Sequence, residues 1–115
     1  MKIEFDKTMM IASELLSYCH IMEAAEYHLD IKIANGETTF EIKASPARMS
    51  ADDLELLRNK LNAPRQREIE QDYWLLSGET GASSELILIG RMTDKAIVEY
   101  ADEMLSIKLT RVMNE

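Results

Sequence analysis

The stretch YHLDIKIANGETTFEIKAS, residues 27–45, decides how this chain folds. Leu29, Ile31 and Ile33 alternate with His28, Asp30 and Lys32, and Thr38, Phe40 and Ile42 repeat the pattern beyond Asn35-Gly36. A period of two sends successive side chains to opposite faces of a strand. Asn-Gly between two such runs is the strongest short hairpin signal, because both turn positions need positive φ. The hairpin so predicted has one apolar face and one polar face, and the apolar face needs a cover.

A helix just upstream supplies the expected cover. In MMIASELLSYCHIMEAA, residues 9–25, Ile11, Leu15, Tyr18, Met22 and Ala25 recur at helical spacing, broadened by Ala12, Leu16 and Cys19. Glu14, Glu23 and Glu26 fall off this stripe. Before it, MKIEF alternates like a short strand, and Asp6 or Thr8 can cap the helix.

Downstream, Ser45-Pro46 breaks the second strand. Ser50 then caps a helix with Asp53 at the third helical position, a capping box, and Leu54, Leu57 and Leu61 form its stripe. Asn62-Ala63-Pro64 ends that helix and opens another over residues 64–78, PRQREIEQDYWLLSG, with Gly78 as its closing glycine. The last third admits two readings. SELILIG, residues 84–90, is a buried strand or a helix capped by Ser83 or Ser84. DKAIVEYADEMLSIKL, residues 94–109, is a helix, or two strands (96–101 and 105–112) turning at Asp102-Glu103; the alternation Leu105, Ile107, Leu109 favours a strand at the end.

With 115 residues the chain suits a single domain over residues 1–115. The order of elements implies an α+β domain, a mainly antiparallel sheet of about four or five strands with helices packed on one face. A net charge of −8, from 21 acidic and 13 basic residues without a basic stripe, argues against nucleic acid as a partner. The expected partner is a protein, or a second copy of the chain. No apolar run approaches the ~18 residues of a membrane span, so no membrane partner is expected. Cys19 stands alone, which excludes an internal disulfide and fits the reducing cytoplasm.

Three segments together resemble the ATPase domain of sensor histidine kinases and anti-sigma-factor kinases, the Bergerat fold. LDIKIANGETTFEIKAS (29–45) is similar to that family's two strands leading to an Asp-x-Gly-x-Gly adenine motif. SGETGASSELILIGRMTD (77–94) resembles its phosphate-binding glycine loop and following helix, and AIVEY (96–100) with LSIKLTR (105–111) resembles its closing hairpin. The resemblance implies a helix over residues 84–93, two strands at the end, and a two-layer sandwich. It also implies which ATPase residues are replaced. Matching His20 to the family's helix histidine puts Leu16 at the Mg²⁺-binding Asn and Ala12 at the Glu base; a shift by two residues restores Glu14 but puts Tyr18 at the Asn. Ala44, Pro46 and Arg48 stand where the adenine-reading Asp and two glycines belong.

The expected function is therefore a non-catalytic regulatory or protein-binding domain on a degenerate histidine-kinase-type ATPase-like fold. The alternatives are an ATP-binding, anti-sigma-factor-like protein kinase with atypical ligands, or a small structural subunit. Gly78, Gly81, Ser83 and Ser84 form a relic of the phosphate loop: no Lys follows at P-loop spacing, and Glu79 and Glu85 flank it. No catalytic residue, metal ligand or cofactor is assigned, with ATP and Mg²⁺ as the alternative. Neither His20 nor His28 has partners at metal spacing. Cys19, on the apolar stripe, reads as a small buried hydrophobe. Arg58, Arg65, Arg67 and Trp74 are the candidate partner-binding set, a local basic zone beside an aromatic.

Overall fold

Asn35 and Gly36 take φ of 55° and 76°, making the two-residue turn that their sequence predicts. The computed structural model of the chain describes residues 2–62 and 86–113. Helix α1 (Lys2–Ile21) is followed by the hairpin strands β1 (Glu26–Ala34) and β2 (Glu37–Ser45), then α2 (Ala51–Leu61), the short α3 (Leu86–Arg91), and strands β3 (Lys95–Ala101) and β4 (Met104–Val112). All pairings are antiparallel, in the order β1-β2-β4-β3, so the second hairpin lies beside the first through β2 and β4. The protein is thus α+β, with the helices on one side of a four-stranded sheet. No helix among the described residues is long and apolar enough to cross a membrane.

Register explains the core. Phe40 pairs with Leu109, Ile42 with Ile107 and Ala44 with Leu105, so each central strand sends its apolar alternates to the same face. All six are buried, as are Ile11, Leu15 and Cys19 of α1 and Leu57 and Leu61 of α2 packed over them. Ser50 closes its capping box, the Oγ accepting from the Asp53 amide at 3.0 Å and the Asp53 carboxylate accepting from the Ser50 amide at 3.3 Å. The last third resolves as the resemblance implied, with helix over Leu86–Arg91 and then two strands, turning at Asp102 and Glu103 with φ of 53° and 61°. Gly90 is there for close approach: a Cβ would collide with the Lys60 carbonyl at the end of α2.

Three expectations are corrected. MKIEF is not a strand: α1 already runs from Lys2, and the Thr8 hydroxyl donates to the Glu4 carbonyl at 3.1 Å, placing Thr8 inside the helix rather than at its cap. Five alternating residues are too few to separate the two periods, and Glu4 has a helical task described below. Glu14 is buried rather than off the packed face. Finally, α1 covers the first hairpin only in part. It touches both strands, but β2 buries its alternate residues while every residue of β1 except the half-buried Leu29 is exposed.

A β-branched residue at position 36 would have to hold positive φ, although nothing lies within 4 Å of its Cβ. Gly36→Val therefore loses about 1–2 kcal/mol in urea unfolding, from backbone strain alone; no change would rule out the turn as the element that sets the register.

Candidate functional site

Two depressions flank α1. The first lies between the end of α1, residues 46–49 and α2, and is lined by Tyr18, Met22, Arg48, Met49, Asp53 and Lys60. Tyr18 shares this cleft with Arg48, whereas Leu16 lies on the other side of α1. Burial, then the Asp53 carboxylate, then Cys19 push the Tyr18 phenol above its ordinary pKa. The cleft holds about 140 Å³, whereas sites for drug-sized ligands span roughly 300–1,000 Å³. Its walls are tied down. The Tyr100 hydroxyl donates to the Ala47 carbonyl at 2.6 Å and accepts from the Met49 amide at 3.3 Å, and the Ala47 amide donates to the Glu103 carbonyl at 2.7 Å.

The second depression is an apolar groove of about 550 Å³ between α1 and β1. Met9, Ala12 and Leu16 line one wall, and Tyr27, Leu29 and Ile31 the other. Phe5 and Met9, at 59% and 48% exposure, extend a second apolar stripe along α1, and Ile33, at 59%, extends the strand wall. Sequence reasoning missed this site by treating helix and hairpin as mutually covering. The signal was present: Phe5, Met9, Ala12 and Leu16 have helical spacing on a face distinct from Ile11, Leu15 and Cys19.

The remaining candidates separate. Gly78, Gly81, Ser83 and Ser84, with Arg65, Arg67, Trp74 and the expected helix over residues 64–78, lie outside the described residues. Arg58 is engaged structurally, its Nε and Nη2 donating to the Val98 carbonyl at 3.2 and 2.9 Å. His20 and His28 are exposed on α1 and β1. Arg48 faces Glu103 at 3.8 Å, both side chains being largely exposed, an arrangement that contributes little. Among the described residues no cluster of three or more His, Cys, Asp or Glu could hold a metal ion. No protein-family model matches the chain, and no curated protein matches it.

One polar cluster is buried. Arg111 of β4 donates from Nε and Nη2 to the Glu4 carboxylate at 2.7 and 3.2 Å, and from Nη1 to the Met92 carbonyl at 2.6 Å. This joins α1, β4 and the turn after α3, and it is structural: Arg111 is only 1% exposed.

Leu15 and Leu16 part company despite adjacency. Leu15 is in the core and Leu16 on the groove wall, so Leu15→Ala costs about 2–5 kcal/mol by chemical unfolding while Leu16→Ala costs only about 1 kcal/mol. Equal costs would place Leu16 in the core. Cys19 is buried, and burial raises its thiol pKa from 9.0 to about 11. The native thiol therefore reacts slowly with an aromatic disulfide reagent at neutral pH and rapidly once unfolded. Because the folded pKa is the higher one, the thiol's contribution to stability is complete below pH 9 and declines as the pH rises toward 11. Cys19→Ala removes that part of the alkaline loss; an unchanged pH profile would contradict the assignment.

Proposed function

We propose that the protein is a non-catalytic regulatory domain that works by binding protein, on a degenerate histidine-kinase-type ATPase-like fold, in the cytoplasm. The observation that carries this reading is the groove between α1 and β1. Apolar side chains from two elements stay in solvent there, and monomeric proteins rarely leave contiguous apolar patches of that kind unless they are used. The order helix, hairpin, helices, hairpin supports the likeness to the ATPase domain. The residues that would do its chemistry are replaced. Ala44 lies in the core at 2% exposure, where the family's Asp would read adenine, and Tyr18 and Arg48 occupy the cleft beside it.

Isothermal titration with Mg·ATP, Mg·ADP and Mg·GTP tests the non-catalytic part. We expect no saturable heat. A dissociation constant in the low micromolar range, about −8 kcal/mol, would overturn the reading in favour of a nucleotide-binding kinase.

A further inference from the structure

We propose that the groove and the edge of β1 bind a second copy of this chain, the two β1 strands pairing antiparallel about a two-fold axis at Leu29. This rests on the protein-binding reading above and names the partner.

The two sheet edges are treated differently. Val98 of β3 turns its carbonyl outward, and the Arg58 guanidinium covers it. Among the described residues, β1 has no such guard, and an unguarded edge is a template for another strand. Its open groups can be identified. The Met113 amide donates to the Gly36 carbonyl at 2.8 Å, which makes Glu37 and Val112 a non-hydrogen-bonded pair across β2 and β4. Glu37 therefore turns its own amide and carbonyl toward Ala34, as a two-residue turn requires. Alternation along β1 then points the backbone groups of Tyr27, Leu29, Ile31 and Ile33 outward.

Charge narrows the register to one centred on Leu29 or on Ile31, where Asp30 would face Lys32, and the Leu29 register is the one that pairs Glu26 as well as Asp30. With Leu29 facing Leu29 of the second copy, Tyr27 faces Ile31, Glu26 faces Lys32 and His28 faces Asp30, each pair occurring twice. Centring on Asp30 instead sets that carboxylate against itself and His28 against Lys32. Centring on His28 sets Glu26 against Asp30. Cross-strand opposite charges stabilise a pairing and like charges disfavour it. The Leu29 register also gives Asp30 a partner it lacks across β2, where it faces Glu41. On the other face it brings the apolar row of β1 and the outer stripe of α1 against their own copies, closing the groove. No acidic residue lines that groove, so the chain's charge of −8 is carried elsewhere, and the patch suits a copy of itself better than a basic peptide. The product is a continuous sheet of eight strands, four from each copy.

The test is sedimentation equilibrium of the full chain with charge reversal. Within the protomer Lys32 faces Thr39 and Glu26 faces Ser45, both uncharged, so neither reversal sets like charges directly opposite; urea unfolding of each variant reads the cost from the diagonal neighbours Glu37, Glu41 and Lys43. We expect a wild-type dimer with a dissociation constant of about 10 μM or tighter. Lys32→Glu should weaken it at least ~tenfold, and the double variant Glu26→Lys, Lys32→Glu should restore it. Circular dichroism should show all three folded alike. A wild type that remains monomeric at several hundred micromolar, as when the groove serves a different protein, overturns the inference. So does a dimer indifferent to Lys32→Glu. Neither result reverses the proposed function, which falls instead on nucleotide binding.

Discussion

Arg111 holds a positive charge inside the protein, where an ion without partners costs several kcal/mol. That cost is offset because three of its donors are satisfied, two by the Glu4 carboxylate and one by the Met92 carbonyl. A bidentate guanidinium–carboxylate pair has a fixed geometry, so it orients as well as attracts. It places the first turn of α1 over the end of β4 and fixes the turn that leads from α3 into β3. Glu4 keeps a quarter of its side chain in solvent, which lowers its own desolvation cost. Once the helix start is held there, α1 packs on α3 and the first hairpin, and the outer stripe of the helix is left facing the outer row of β1 across the groove.

The groove is therefore a consequence of how the layer of helices is seated. β2 and β4 each pair on both sides and are covered on one face, and the core is built from them. At the β3 margin, α2 packs close and lends Arg58 to the open carbonyl. At the β1 margin the apolar alternation continues for a full strand, and among the described residues α1 alone faces it, across the groove. Leu29 packs against the core, but Tyr27 and Ile31 keep more than a third of their surface in solvent and Ile33 59%, an exposure that weakens rather than strengthens solubility in the single chain.

Those elements whose signal is local were legible in the sequence. The Asn35-Gly36 turn and the Ser50 capping box depend on residues a few positions apart, and both form as read. The close of the chain was legible once a choice between periods had been made, since Leu105, Ile107 and Leu109 alternate without interruption. That alternation continues to Arg111, which was the available sign of a buried guanidinium, but its partner Glu4 lies at the other end of the chain and no local pattern links them. The same missing link made MKIEF read as a strand. The groove was hidden for a related reason: amphipathic patterns say that a face is apolar, and only the tertiary arrangement says which face meets which. Of the candidate site residues, Arg58 has a place in the fold that its charge alone did not reveal.

Position 44 shows how firmly the core is closed, since Ala44 is packed between the sheet and the helices with 2% of its surface exposed. A carboxylate there would carry the desolvation cost of a buried charge. The neighbouring cleft could widen only against Met49 and Ala47, whose backbone groups are held by Tyr100. The core is thus filled at position 44, and the packing of the central strands depends on that filling. By contrast, the β1 margin has open backbone donors and acceptors, an apolar floor and alternating charges, and needs no rearrangement to accept another strand. The middle of the sheet is closed by packing, and the part open to contact is the β1 edge.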